Sequence, residues 1–539
     1  MVARAGTYED VCQAFRWDVP ERFNIADAAC DRHVGARREA LVYEGADGRV
    51  ERYSFEALKD LSSRLANALA AKGVARGDRI AILLPQSVET AVAHLAAYRM
   101  GAIALPLFVQ FGPEALEYRL SNSGARVVVT NDAGLVRLIE IRDRLPELRV
   151  IVNTEQARDG TALGYQELID AAAPAHVMVD TAAEDPAIML YTSGTTGPPK
   201  GVLHAHRVLI GHMPGVELAN EFFPQPGDRM WTPADWAWIG GLLDVLLPSL
   251  FHGVPVVACR FPKFDPEKAF ALLARHEVRN TFLPPTALKM MRQASGSRTS
   301  AGAVRTIMSG GERLGDELHE WGRRIFGVTI NEFYGQTEAN LLVGNCAALM
   351  PMRPGSMGRA IPGHRVEVLD EDGQIVQAGE VGTIAVQAPD PVMFLNYWQN
   401  PEATRQKFRG AWCMTGDRAR RDEQGYLWFD GRDDDVINTS GYRVGPAEIE
   451  DCLMRHPAVA LVAVVGVPDQ LRGEVVKAFI VPRPDVSPGP ALASEIQAFV
   501  KTRLSAHEYP RLVEFRDTLP MTVTGKIRRR DLREPRSAS

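Results

Sequence analysis

Two hydrophobic periods alternate along the first half of this chain, and that alternation limits its fold more than any other feature. Between Phe55 and Gly73, Leu58, Leu61, Leu65 and Leu69 recur at helical spacing, and Gly73 is placed to close the helix. Residues 79–84 (RIAILL) then read as a strand, 88–100 as a helix and 103–107 as a second strand. The same order returns with VVVT at 127–130 and with a helix opened by Pro266 and ending near His276. Strands that alternate with helices bury their apolar faces as sheets covered by helices, so a layered α/β body is expected. From about Val366 the pattern changes to short strands separated by turn signals at 371–373 (EDG) and 422–425 (DEQG), which predicts a more antiparallel, β-barrel-like subdomain. After Asp430 a charged run, GRDDD at 431–435, precedes a fresh α+β pattern: a helix opened by Pro446, then strands at 461–467 and 475–481. At 539 residues the chain exceeds what a single core organises. We therefore expect a large N-terminal domain, residues 1–433, of layered α/β sheets plus the barrel-like part, and a small α+β C-terminal domain, residues 434–539.

Composition mainly excludes. An apolar fraction of 46% and a charged fraction of 24%, without a low-complexity tract, describe a soluble globular chain. A net charge of -6 gives no basis for nucleic acid or an anionic membrane as the main partner. The six cysteines (Cys12, Cys30, Cys259, Cys346, Cys413, Cys452) are scattered, form no C-x-x-C pair and fit a reducing cytoplasm. Residues 1–15 lack the apolar core of a signal peptide. The longest apolar stretch, 238–257, is broken by Asp244, Pro248, His252 and Pro255, so it is expected to be buried core rather than a membrane span. His204 and His206 are expected to be structural rather than a metal pair. A cytoplasmic location follows as the expectation, and whether the chain forms a homo-oligomer is left open.

Chemistry is concentrated in YTSGTTGPPKG, residues 191–201, a Gly/Ser/Thr loop that ends in lysine between two apolar runs. Such a loop turns backbone N–H groups and hydroxyls toward phosphate oxygens, and Lys200 adds a positive charge suited to a nucleotide triphosphate. It is not the P-loop pattern, because Pro199 stands where G-x-x-x-x-G-K-[ST] needs glycine. The loop resembles the phosphate loop of the adenylate-forming superfamily, which includes acyl-CoA synthetases, luciferases and the adenylation domains of peptide synthetases. Further strings are similar to that family in order and spacing along nearly the whole chain: GGE at 310–312, FYGQTE at 333–338, TGD at 415–417, GRDDDVINTSGYRVGPAEIE at 431–450 and TVTGKI at 522–527. RGEVVKAFIV at 472–481 and the closing TVTGKI most resemble the acetyl-CoA synthetase and medium-chain acyl-CoA synthetase branch.

The resemblance implies an ATP-dependent carboxylate:CoA ligase. The acid would attack the α-phosphorus of ATP, pyrophosphate would leave, and the acyl-adenylate would pass its acyl group to the thiol of CoA. By the same resemblance, Thr192, Ser193, Gly194, Thr195, Thr196 and Lys200 would hold the β- and γ-phosphates, Thr337 would contact the α-phosphate, and Glu338 would be a ligand to Mg2+. Gly311, Glu312 and Arg313 would flank one face of the adenine and Glu332, Phe333 and Tyr334 the other. Asp417 would hold the ribose hydroxyls, with Arg432 and Arg443 as cations near the ribose and phosphates. Lys526 would balance charge between the acid and the α-phosphate, Asp434 would be the hinge of the C-terminal domain, and Gly441 would line the CoA channel. ATP and CoA are thus the expected co-substrates and Mg2+ the expected cofactor.

The acid is read from departures. Acetate-specific relatives carry D-x-G-W-x-T-G and W-W-Q-T-E, where this chain has DWAWIGG at 235–241 and YGQTE at 334–338. Gly335 replaces an indole and Gly240 a threonine, so an acyl pocket lined by Trp238, Ile239, Gly240 and Gly335 is expected to favour an acid larger than acetate, whether medium-chain, branched or aryl. Two alternatives share part of this evidence: an adenylating ligase that loads a carrier protein, and a nucleotide-binding regulator without turnover.

Overall fold

The computed structural model describes every residue except 1, 3, 5, 36, 159, 193–197, 297–301, 313, 433–435, 485, 521–526 and 534–539; for 432, 447 and 530 the backbone alone is described. The alternating periods of the N-terminal half become two large sheets. Strand Arg79–Leu83 lies inside an eight-stranded sheet, parallel to Ile103–Pro106 on one side and to Val127–Thr130 on the other. Val150–Asn153, Leu163–Gly164 and Pro186–Thr192 continue it in parallel, while Lys200–Ala205 and Asn396–Tyr397 run antiparallel at one edge. The second sheet has nine strands with a parallel centre that includes Val256–Cys259, Asn280–Phe282, Thr306–Gly310 and Ile330–Gln336. Parallel strands are covered on both faces, which is why VVVT is buried at all four positions instead of alternating.

The leucine-spaced segment is the helix Phe55–Ala71, capped by Ser54, whose hydroxyl accepts from the Ala57 amide. Leu58, Leu65 and Leu69 are fully buried there, each worth about 2 kcal/mol of apolar transfer. One core joins this helix and Val88–Arg99 to Ile80 and Ile188 of the first sheet and to Leu41 and Val256 of the second. Nearly the whole of Val88–Arg99 is buried, so Arg99 needs the Asp31 carboxylate that it meets at 2.6 Å. The stretch 238–257 is core, as expected. Among the described residues no helix is long and apolar enough to cross a membrane, and the six cysteines are free.

The region after Val366 is antiparallel, but it is an open five-stranded sheet rather than a barrel. Trp412–Arg421 pairs with Val381–Gln387 along one edge and shares its other edge between the short strands Phe408–Arg409 and Leu427–Arg432. The smaller C-terminal domain is built on a hairpin, Val459–Asp469 with Gly473–Pro482, each strand one or two residues longer at either end than the pattern predicts because the two pair along their length. Helices Pro446–Met454 and Pro490–Arg503 pack on that sheet, and their core continues into Leu107, Phe111 and Leu116 of the large domain.

Candidate active site

The site lies where strands end. Ile330–Gln336 brings Glu332, Phe333, Tyr334 and Gly335 to its C-terminal end as consecutive residues, and its neighbour Thr306–Gly310 runs directly into Gly311 and Glu312. Crevices at this end of parallel strands are where α/β sheets hold ligands. The antiparallel sheet adds Thr415 and Asp417, which point inward by the two-residue period of Trp412–Arg421. With Trp238, Ile239, Gly240 and the tip of a hairpin at 437–444, these elements enclose a cavity of about 950 Å³, counting its open mouth.

Asp417, only 1% exposed, marks the polar end. Its Oδ2 accepts from Tyr334 Oη at 2.6 Å, from Gln336 Nε2 at 3.3 Å and from Arg443 Nη2 at 3.3 Å. Its backbone is paired with that of Arg432 across the strands. A buried carboxylate persists only with such partners. Thr286 Oγ1 donates to Glu312 Oε1 at 2.8 Å, and burial raises the Glu312 carboxyl to about 7. Thr337 lines the cavity, and its carbonyl accepts from His204 Nε2 at 2.8 Å. Burial pushes His204 down to about 4, so the ring is neutral and acts as a strut; His206 instead accepts from the Ile25 amide. The two histidines thus serve different partners.

Glu338 is ionised in a buried place. Burial works to raise its carboxyl, but the charges of Lys407 and Arg443 and a hydrogen bond from Tyr397 Oη overcome it and hold it at about 2. Its Oε2 has no partner among the described residues. An ionised carboxylate with one oxygen unengaged suits a hard cation such as Mg2+. Lys200 reaches the same spot, with Nζ 5.2 Å from the centre of the Tyr397 ring. Thr192 and Lys200 face each other across the strand pair at the base of the phosphate-loop motif. Ser193, Gly194, Thr195, Thr196, Arg313, Asp434 and Lys526 lie outside the described residues. Ile527, next to Lys526, packs with Ala463, Val465 and Phe479 on the C-terminal sheet.

Ser440 and Gly441, at φ 53° and 81°, join strands Ile437–Thr439 and Tyr442–Val444, with Thr439 opposite Tyr442. This is a two-residue hairpin with both central residues left-handed, a turn that calls for glycine regardless of any channel. Its tip meets the cavity: a side chain at 441 would stand 3.7 Å from Trp238 Cη2, and Asn438 Nδ2 donates to the Gly311 carbonyl at 2.8 Å.

Trp238, Ile239, Gly240 and Gly335 all border the cavity. The expectation that the two glycines leave open room does not hold in that form. A Cβ at 335 would stand 2.5 Å from both Asn340 Oδ1 and the Leu341 amide nitrogen, and one at 240 would stand 2.9 Å from Phe282 Cε1. Close packing has given the space to other parts of the protein. Four contributors escaped the sequence reading: Tyr397, Lys407, Asn340 and Asp244. Only Asp244 left a signal, as the single carboxylate in the apolar stretch 238–257.

The family described as AMP-binding enzyme matches residues 27–398, and the AMP-binding enzyme C-terminal domain matches 448–526. The mitochondrial acyl-coenzyme A synthetase ACSM3 of Rattus norvegicus is 35% identical over 98% of this chain and 93% of its own length. The acetyl-coenzyme A synthetase of Bacillus subtilis is 37% identical over 98% of this chain and 94% of its own. A crystal structure of Brucella canis acyl-CoA synthetase superposes with a TM-score of 0.74 at 35% identity, covering 98% of each chain. The chain therefore belongs to the AMP-binding enzyme family, the adenylate-forming superfamily that its motifs resemble, and is an AMP-forming ligase.

Proposed function

We propose that the protein is an acyl-CoA synthetase that joins a carboxylic acid larger than acetate to coenzyme A, through an acyl-adenylate made from ATP. The observation that carries this reading is the cavity itself. It joins a polar end at Asp417 and Arg443 to an apolar end at Trp238, Ile239 and Phe333, with the glycine tip of the hairpin at its wall.

A carboxylate is a poor acyl donor, because its delocalised negative charge repels nucleophiles. Linking it to AMP supplies a leaving group, and both half-reactions then need negative charge balanced. In this reading Asp417 accepts from the ribose hydroxyls, since one carboxylate serves two donors. Gly311, Glu312 and Arg313 flank the adenine against Glu332, Phe333 and Tyr334. Thr337 contacts the α-phosphate; Thr192, Ser193, Gly194, Thr195, Thr196 and Lys200 hold the outer phosphates; and Arg432 and Arg443 add positive charge. Glu338, with its unengaged oxygen, would hold Mg2+, which when bound neutralises phosphate charge. Lys526 serves adenylation. The C-terminal domain, beginning at residue 434, turns about Asp434 so that Lys526 and the Gly441 hairpin alternate at the cavity. Contact of that hairpin with Trp238 and Gly311 supports the CoA-facing arrangement.

Acid-dependent exchange of pyrophosphate into ATP tests adenylation, and product analysis with CoA against a carrier protein identifies the acceptor. Lys526→Ala is expected to slow acyl-adenylate formation about 100- to 1,000-fold while a supplied acyl-adenylate is still converted to thioester. Equal loss of both steps would overturn that role. Ligation measured from acetate through octanoate, with isobutyrate and benzoate, tests the size of the acid; best activity on acetate would refute it.

A further inference from the structure

Asp244 belongs to the same cavity wall as Trp238, Ile239 and Gly240. It is 1% exposed and sits in a π-helical turn, Leu242–Leu246, between the short helix Ile239–Gly241 and the helix Leu247–Phe251. Such turns re-aim side chains and are frequent at functional sites. The carboxyl is held from one side. Asn340 Nδ2 donates to Asp244 Oδ1 at 2.7 Å and to His212 Nε2 at 3.3 Å, which uses both of its hydrogens. His212 Nδ1 donates to the Val208 carbonyl at 2.7 Å, and this selects the tautomer in which Nε2 accepts. The absence of a side chain at 335 is what admits Asn340 to this position.

One oxygen is left over. Asp244 Oδ2 has no hydrogen-bond partner among the described residues, although Asp244 lines the same cavity as Trp238, Gly240 and Gly335. A buried acid oxygen without a partner is costly, and a chain that needed only an apolar wall would place leucine there.

Resting on the reading of this cavity as an acyl pocket, we propose that the acid this protein activates carries a hydroxyl group, and that Asp244 recognises it through Oδ2. A hydroxyl fits either form of the carboxyl, because it accepts from the neutral acid and donates to the anion. Burial raises the Asp244 carboxyl well above the usual carboxylate range and keeps His212 neutral, which favours the neutral acid. An ammonium has no lone pair to offer a neutral acid, and an ion pair here would require both charges to lose their water. An unsubstituted alkyl or phenyl end would leave Oδ2 unpaired. Trp238, Ile239 and Phe333 make part of the wall apolar, so the carbon skeleton can be apolar with its polar group confined to the point facing Asp244.

The test compares matched acids on the intact enzyme: ω-hydroxyhexanoate with hexanoate, β-hydroxybutyrate with butyrate and para-hydroxybenzoate with benzoate. At least one hydroxy acid is expected to exceed its parent in kcat/KM by about tenfold to a hundredfold. Asp244→Leu, similar in size but without polar atoms, is expected to reverse that order while KM for ATP stays within about twofold. If parent acids are ligated to CoA as well as or better than all three hydroxy acids, the inference fails and the ligase reading stands. If no acid supports pyrophosphate exchange, both fail. A hydroxyl preference that survives Asp244→Leu would remove Asp244 from the assignment, and the comparison on the unaltered enzyme decides the substrate class even if that variant does not fold.

Discussion

The two ends of the cavity are built on opposite plans. At the polar end residues arrive in consecutive strings, Glu332 to Gln336 on one strand and Thr415 to Asp417 on another, and Asp417 Oδ2 is surrounded by Tyr334, Gln336 and Arg443. At the apolar end residues arrive singly: Asp244 and His212 lie 96 and 128 positions from the Asn340 that joins them. One end presents a carboxylate fully organised by its own protein, as suits a ligand group that never varies. The other holds a carboxyl on one side and leaves its second oxygen without a partner among the described residues, as would suit the part of a ligand by which one relative differs from another.

If the two ends are separate, damage to the polar end should be indifferent to the acid. Asp417→Ala removes a carboxylate on which three donors converge, and hydrogen bonds to charged groups contribute about 1.5–3 kcal/mol each. Activation of every acid is therefore expected to fall by about 100-fold or more, with their rank order unchanged, measured by pyrophosphate exchange. A changed rank order would break the distinction.

Gly335 is where the ends touch, since it ends the string on the polar side and admits Asn340 on the other. Gly335→Ala must displace Asn340 Oδ1 or the Leu341 amide, and overpacking of this kind costs about 1–3 kcal/mol. Thermal denaturation should register that loss, and the preference among acids should change more than KM for ATP. Stability lost with acid preference intact would detach Asn340 from selection.

The smallest effect lies outside both ends. Glu508 is buried beside Arg119 and Glu448, where the C-terminal domain packs on helix Pro113–Ser123. Burial, reinforced by the Glu448 charge, pushes its carboxyl up. The folded protein then keeps a proton that the unfolded chain has released, so this group lowers stability as pH rises from the ordinary carboxylate range toward the folded value. Glu508→Gln removes that slope. Relative to the unaltered protein it should gain up to about 1 kcal/mol toward the alkaline end of the window, with KM for ATP and acid preference unchanged. Chemical denaturation across pH, read beside the two kinetic constants, checks each part.

Much of the architecture was legible because its causes are local. The helix Phe55–Ala71 and the strand Arg79–Leu83 fall within two residues of where periodicity puts them, and Pro266 opens its helix with Asp265 as the cap. The strings around Glu338 and Asp417 were legible because neighbours on a strand reach one place together. Lys407 and Tyr397, which with Arg443 hold Glu338 ionised, were not, for each is a lone residue in an ordinary context.

Periodicity, turn residues and motif strings are properties of short segments, so they survive without knowledge of the rest of the chain, and they were enough to reach the α/β layers and the adenylate-forming family. Whether an absent side chain leaves a void is not such a property. The space beside Gly335 belongs to Asn340 and that beside Gly240 to Phe282 and Trp238, because a close-packed interior assigns every gap to whichever residue the fold brings near. The same holds for Asp244. In the sequence it is one acid interrupting an apolar run; only the tertiary structure shows that one of its oxygens is anchored and that the other, among the described residues, is not.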